Sequence, residues 1–118
     1  MKKLKIAVIG AGFWGRNHVR VLSELPEADL VGVCDVNKQR AEMIAEKYNI
    51  KSYTKSEELY RKERVDAVNI CVWSTELFRE AIEALNMGKH VFVEKPMASR
   101  VEEAEKMLET ARSRNLHL

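Results

Sequence analysis

Three glycines in one short turn constrain the fold of this chain more than any other feature of its sequence. The apolar run at positions 6–9 is followed directly by Gly10-Ala11-Gly12-Phe13-Trp14-Gly15. Gly10 permits a tight turn, Gly12 permits close approach of a ligand to the backbone, and Gly15 permits close contact of helix and strand. An acid, Asp35, follows Gly15 by 20 positions. Strand, glycine turn, helix, strand and acid in this order predict a dinucleotide-binding unit.

The same spacing predicts where a dinucleotide would lie. Its phosphates would lie at the helix N-terminus, where unpaired N–H groups and the helix dipole favour negative charge, beside the backbone of Phe13 and Trp14. Asp35 favours NAD by binding the ribose 2′-hydroxyl and would repel a 2′-phosphate. Lys38 and Arg40 lie close enough in sequence to weaken that repulsion, so NADP stays possible. The alternative is a glycine-rich turn that binds no ligand.

Length and composition narrow the class of protein. A chain of 118 residues, 32% of them charged and with a net charge of +2, suits one domain over 1–118 and gives no sign of nucleic-acid binding. It has no apolar run long enough for a membrane span or a signal peptide, so we expect a cytoplasmic protein. Cys34 and Cys71 end strands that should not be neighbours, which predicts two free buried thiols. No Cys/His cluster has metal-ligand spacing.

Strands and helices are predicted to alternate along the whole chain. Strands are expected at 4–9, 29–34, 50–53, 65–72 and 90–93, with a sixth starting at 116–118, and helices at 13–25, 38–48, 54–62, 75–87 and 99 onward. Repeated βα units predict an α/β fold, a doubly wound parallel sheet in a single three-layer Rossmann domain.

Local signals place the helix ends and faces. Asn37 is an N-cap candidate and Gly88 a helix stop, while Thr54 with Glu57 and Ser99 with Glu102 have the spacing of capping boxes. Helical spacing predicts that the fourth helix buries Phe78, Ala81, Ile82 and Leu85, and that the last buries Val101, Ala104, Leu108 and Ala111.

Several motifs together resemble the glucose-fructose oxidoreductase/inositol dehydrogenase/MocA (Gfo/Idh/MocA) family over the whole chain. They are the glycine turn continuing to His18, then Asp35, then Gly88-Lys89-His90-Val91-Phe92-Val93-Glu94-Lys95-Pro96. The resemblance implies an NAD(P)-dependent oxidoreductase of sugars, cyclitols and related alcohols. It implies that Lys95 lies beside the substrate hydroxyl, as its catalytic group, and Glu94 near the nicotinamide ribose. His18 is expected to be a packing residue with satisfied hydrogen bonds.

The sequence departs from the family pattern in two ways, and both bear on whether the chain is active. The family's second, substrate-binding domain, with its catalytic histidine, is absent from these residues, so the chain is expected to bind nucleotide without turnover. After the fourth strand, Val72 and Trp73 stand where the family has Thr-Pro, and Leu77 stands where it has His. Val72 is expected at the cofactor edge. Leu77 falls outside the predicted core stripe, so Trp73 and Leu77, with Phe78, are expected to form an exposed apolar patch.

Three functions remain open at this point. The first is an isolated NAD(P)-binding domain of a two-domain dehydrogenase. The second is an engineered or repurposed module that binds a protein partner, or a second copy of itself, through the surface at 72–78. The third is a non-catalytic NAD(H) sensor. Trp73 could alternatively fold inward over the nicotinamide site.

Overall fold

A computed structural model of the chain describes residues 2–118, within which five strands alternate with five helices. In chain order these are β1 Leu4–Ile9, α1 Phe13–Glu24, β2 Ala28–Cys34, α2 Lys38–Tyr48, β3 Lys51–Tyr53, α3 Ser56–Lys62, β4 Ala67–Ile70, α4 Ser74–Asn86, β5 His90–Val93 and α5 Val101–Ser113. The fourth strand is half as long as expected: Val65 and Asp66 precede its first residue, and Cys71 and Val72 follow its last.

The strands form one parallel sheet in the order β3-β2-β1-β4-β5, which confirms the predicted doubly wound Rossmann fold. The central strand β1 pairs on both sides, so that Ile9 stands opposite Cys34 of β2 and Ile70 of β4. The chain reverses its direction of travel across the sheet between β1 and β4. Such a switch point is where ligands bind in doubly wound sheets.

Each face of the sheet carries its own core. On one face α1 and α2 bury Val19 and Ile44 against Val8 and Val33. On the other, α3, α4 and α5 bury an apolar cluster that includes Leu59, Ile70, Leu77, Leu85 and Met107. Neighbouring residues of β1, such as Val8 and Ile9, belong to different clusters because side chains alternate across a strand.

Helix ends are only partly as predicted. Asn37 caps α2, since its Oδ1 accepts a hydrogen bond from the Arg40 N–H at 3.1 Å, and Gly88 follows α4 with φ of +80°. Both predicted capping boxes are wrong. The N-cap of α3 is Lys55 and that of α5 is Arg100, one residue after Thr54 and Ser99, and neither position has a side-chain cap. In α3 the first hydroxyl, on Ser56, instead donates to Glu83 Oε1 of α4 at 2.6 Å.

The buried face of α4 shares Ala81 and Leu85 with the predicted one but is turned by part of a residue step of about 100°. Its buried residues are Leu77, Ala81, Ala84 and Leu85. Leu77 is only 1% exposed, so the prediction of an exposed Leu77 is wrong. Phe78 and Ile82 are partly buried at the border of this stripe and pack against the same core. The set Leu77, Ala81, Ala84 and Leu85 fits a helical period as well as the predicted set does, so spacing alone could not choose between them.

The last helix is rotated in the same way. Met107 and Ala111 are buried and Ala104 is partly buried, whereas Val101 and Leu108, predicted to be core residues, are exposed. Met107 is the residue that the predicted stripe missed. It lies one position, or about 100°, from Leu108, and the long unbranched thioether fills the core in place of the leucine.

The end of the described chain lies against β5 without forming a sixth strand. The Val91 N–H donates to the His117 carbonyl at 3.0 Å, and Leu116 and Leu118 pack against the core. Both cysteines are free, with Cys34 buried as expected and Cys71 only partly buried. Among residues 2–118, none of the helices is long and apolar enough to cross a membrane.

Candidate dinucleotide site

Sheet hydrogen bonds continue beyond the strands and align four loops along one edge. The Gly10 N–H donates to the Cys34 carbonyl at 2.7 Å and the Cys71 N–H to the Ile9 carbonyl at 2.7 Å. On the outer strands, the Asp35 N–H donates to the Tyr53 carbonyl at 3.0 Å and the Glu94 N–H to the Ile70 carbonyl at 3.1 Å. The glycine turn, Asp35, Val72 and Glu94 therefore share the carboxyl edge of the sheet, as the sequence predicted.

Two of the three turn glycines are required by the protein itself. Gly10 has φ of +100°, and a Cβ there would lie 2.5 Å from the Cys71 carbonyl oxygen and 3.2 Å from Val72 Cγ1. A Cβ on Gly15 would collide with the Gly10 carbonyl oxygen. Both positions therefore need glycine, whether or not a ligand binds.

Gly12 differs from the other two because nothing in the protein requires a glycine there. Its φ is −77°, which any residue adopts, and a Cβ would meet no atom within 4 Å. Gly12 is also the N-cap of α1 and supplies no side-chain hydrogen bond, so the first-turn N–H groups stay open to a ligand. A pyrophosphate at this helix end would fill the space that a side chain would otherwise occupy.

Asp35 is buried and fastens the glycine turn to the end of β2. Its Oδ2 accepts from the Ala11 N–H at 2.8 Å, its Oδ1 accepts from the Asn37 N–H at 2.8 Å, and the side chain is 8% exposed. Arg40 Nη1 lies 3.7 Å from Oδ2, so a cation does stand beside the acid. The carboxylate therefore orders both loops and retains lone pairs for a ribose hydroxyl.

Aromatic side chains flank the turn and remain in solvent. Phe13 and Trp14 are 65% and 60% exposed, and their rings meet edge to face with centroids 5.1 Å apart. Trp73, the N-cap of α4, is 84% exposed and thus does not fold inward. Because Leu77 is buried and Phe78 partly so, the predicted patch is reduced to Trp73.

A hydrogen-bonded chain of side chains lies under the end of β5. Asn69 Nδ2 lies 3.1 Å from His18 Nδ1, and His18 Nε2 lies 2.9 Å from Glu94 Oε1. The other carboxylate oxygen, Oε2, accepts from the Lys95 N–H at 3.2 Å. The His18 hydrogen bond, with that of Lys95, lowers the pKa of Glu94. Lys95 itself is exposed, and the Lys95–Pro96 peptide bond is cis.

Sequence reasoning did not identify Asn69 as a site residue. It is the only amide inside the apolar run of the fourth strand, and a polar side chain in a mid-strand position needs a hydrogen-bond partner. That position was the available signal. His18 is a satisfied residue, as expected, but its partners include Glu94 of the cofactor edge.

A family model described as an oxidoreductase family with an NAD-binding Rossmann fold matches residues 4–118. The chain belongs to the Gfo/Idh/MocA oxidoreductase family. The chain is similar to glucose-6-phosphate 3-dehydrogenase of Bacillus subtilis, with 40% identity over 91% of the chain. Inositol 2-dehydrogenase 3 of Saccharopolyspora erythraea is 29% identical over 98% of the chain. The chain spans 30% and 34% of the lengths of these two relatives.

Solved structures of similar proteins contain the cofactor. GenD2 from gentamicin A biosynthesis, in complex with NAD, superposes with a TM-score of 0.95 at 26% identity, over 98% of this chain and 33% of that one. The WlbA dehydrogenase of Chromobacterium violaceum, in complex with NADH and UDP-GlcNAcA, gives 0.95 at 27% identity, over 100% and 34%. The chain is thus an NAD-binding Rossmann domain of the Gfo/Idh/MocA type. The open space beside Gly12 is consistent with a bound dinucleotide.

Proposed function

We propose that residues 1–118 form the dinucleotide-binding part of an oxidoreductase, that they bind NAD in preference to NADP, and that they do not turn over a substrate by themselves. The observation that carries this proposal is Gly12. Its backbone needs no glycine, while the space beside it suits a pyrophosphate at an uncapped helix end. The cofactor supplies the redox chemistry when bound, since NAD accepts a hydride and NADH donates one, and the protein's residues bind and orient it.

Asp35 supports the preference for NAD. A carboxylate buried at the end of β2 would accept a hydrogen bond from the ribose 2′-hydroxyl, whereas a 2′-phosphate would bring like charges together. Arg40, at 3.7 Å from Asp35 Oδ2, reduces this repulsion without removing it, because its side chain is half exposed and water screens the ion pair.

Glu94 and Lys95 are the proposed groups at the nicotinamide end. Lys95 follows the last strand at the carboxyl edge, and its exposed ammonium can polarise a substrate hydroxyl or help to move its proton. Glu94, at the same edge, is proposed to lie near the nicotinamide ribose. Val72 borders the glycine turn, since its Cγ1 would lie 3.2 Å from a Gly10 Cβ, and is proposed to contact the dinucleotide.

The test is a pair of titrations, with NADH and with NADPH, in which quenching of tryptophan emission reports binding. We expect NADH to bind at least about ten-fold more tightly, a difference of about 1.4 kcal/mol. Asp35→Asn should reduce that ratio to near one, because the amide no longer repels a phosphate. It should also destabilise the fold by about 1–3 kcal/mol, since one backbone N–H loses its acceptor.

Asp29→Asn is the matched control. Asp29 lies near the other end of β2, where its carboxylate pairs with Lys5 Nζ at 3.1 Å. This variant should keep the NADH-to-NADPH ratio of the wild type. An absence of NADH binding at millimolar concentration would refute the proposed function.

A second candidate function rests on Trp73. An aromatic side chain that is 84% exposed beside a ligand edge is suited to anchor a protein partner or a second copy of the chain. Static light scattering on the wild type and on Trp73→Ala tests self-association. We expect any assembly to weaken in the variant, and a monomeric wild type would exclude the second copy.

A further inference from the structure

The hydrogen-bonded chain from Asn69 to Lys95 joins three separate elements. Asn69 is in β4, His18 is in α1, and Glu94 follows β5. The His18 ring also lies against Phe92 of β5, with ring centroids 5.9 Å apart and planes inclined at 60°. The imidazole is therefore held by two hydrogen bonds and by an aromatic neighbour.

The hydrogen-bond chemistry gives this chain a direction. An amide nitrogen can only donate, so Asn69 Nδ2 donates to His18 Nδ1, which must then be the unprotonated nitrogen of the neutral ring. In that tautomer the proton is on Nε2, which donates to Glu94 Oε1. Glu94 can then accept from the Lys95 N–H through Oε2.

We propose that His18 is a positioning residue that holds the Glu94 carboxylate, and through it the Lys95 main chain, in place, and that Asn69 selects the tautomer that does this. The inference rests on the proposed function only for the role of Lys95. It assigns to His18 no contact with cofactor or substrate. The side chains of His18 and Glu94 are 15% and 28% exposed, so solvent competes only partly for these hydrogen bonds.

Two substitutions of His18 separate its hydrogen bond from its bulk. Glutamine places its terminal NH₂ near the position of Nε2 and keeps the donor to Glu94. Asparagine is shorter and reaches only toward Asn69. Both replacements are neutral primary amides that differ by one methylene group, so each variant is the matched control of the other.

The experiment uses NMR of the wild type, His18→Gln and His18→Asn. In the wild type we expect the Nε2–H tautomer in the imidazole ¹⁵N spectrum and a Glu94 carboxyl that titrates below the ordinary pKa of its type. His18→Asn should return the Glu94 titration toward its ordinary range and move the Lys95 amide signal. His18→Gln should keep both as in the wild type.

The outcomes distinguish this inference from the proposed function. An Nδ1–H tautomer, or a Glu94 titration and Lys95 amide signal unchanged in His18→Asn, would overturn the positioning role. ADP-ribose, which lacks the nicotinamide, should bind all three proteins within about two-fold of one another. If the wild type fails to bind ADP-ribose, the proposed function fails while the NMR result still decides the role of His18. If His18→Asn does not fold, the wild-type tautomer decides it.

Discussion

The turn glycines show that one residue type can be required for different reasons within six positions. Gly10 and Gly15 are fixed by backbone geometry, through a positive φ in one case and contact with a carbonyl in the other. Gly12 has neither constraint. Two of the three glycines in the motif are thus required by the fold, and only Gly12 bears on the proposed binding of a ligand.

This difference predicts unequal effects of one substitution at two glycines. Gly12→Ala should change the stability of the free protein by less than about 1 kcal/mol, because the restriction of the unfolded chain by alanine and the loss of a favoured N-cap residue oppose each other. It should weaken NADH binding by about ten-fold or more, since the methyl group projects toward the pyrophosphate. Urea unfolding and NADH titration measure the two effects.

Gly15→Ala is the contrasting variant. Its Cβ would collide with the Gly10 carbonyl, so the helix must move. The free energy of unfolding should fall by at least about 3 kcal/mol, the upper end of the usual cost of overpacking. If Gly12→Ala binds NADH as tightly as the wild type, Gly12 does not face the phosphates.

At the scale of the element, the first turn of α4 separates a structural apolar residue from a free one. Leu77 and Trp73 lie four residues apart, and the Leu77 N–H donates to the Trp73 carbonyl at 3.0 Å. Leu77 is buried with Ala81 and Leu85, whereas Trp73 is in solvent. The first turn of α4 therefore places Leu77 in the core and Trp73 on the surface.

We expect Leu77→Ala to destabilise the protein by about 2–5 kcal/mol, because it opens a cavity in a fully buried site. Trp73→Ala should change stability by no more than about 0.5 kcal/mol, as for most surface substitutions. Chemical denaturation of both variants provides the measurement. Equal costs for the two would contradict the placement of Leu77 in the core.

How much of the structure could be predicted also differs by element. The order of strands and helices, the cap at Asn37 and the stop at Gly88 followed from local chemistry. The buried faces of α4 and α5 did not, because several apolar residues lie side by side and neighbouring elements decide which of them is covered. The predicted cap at Thr54 failed because α3 begins at Ser56, one residue later than a cap at Thr54 requires.

The candidate site was predictable in outline because strand ends share one edge in a parallel sheet. Its internal hydrogen bonds were not. The bond from Ala11 to Asp35 spans 24 positions and that from His18 to Glu94 spans 76, and no sequence spacing encodes such pairs. The role of Asp35 as a loop anchor therefore became visible only in the fold, whereas its proposed role as a ribose acceptor followed from the sequence.

At the scale of the whole molecule, the fold protects the neutral forms of several weak acids. Burial raises the pKa of Cys34 from 9.0 to about 12, with added effect from Glu80, and raises that of Cys71 from 9.0 to about 12. Burial and the hydrogen bond to Glu63 raise the pKa of Tyr53 from 10.0 to about 12. Burial also raises the pKa of Tyr60.

These shifts predict alkaline sensitivity. Above about pH 9 the unfolded chain loses protons from these groups while the native chain keeps them, so the unfolded state binds fewer protons and stability falls as pH rises. The fall should continue to about pH 12, where the native groups ionise as well. Cys34 and Cys71 each contribute up to about 1.4 kcal/mol per pH unit within their own interval, and Tyr53 contributes less because water reaches its hydroxyl.

Urea unfolding midpoints between pH 8 and pH 11, under reducing conditions, provide the measurement. Cys34→Ala should lower the stability at pH 8, because it removes a buried side chain, but should reduce the slope of stability against pH above 9. The slope separates the two effects, since a lost apolar contact does not depend on pH. A variant whose slope equals that of the wild type would mean that the Cys34 thiol ionises equally readily in both states, and that the end of β2 is open to water.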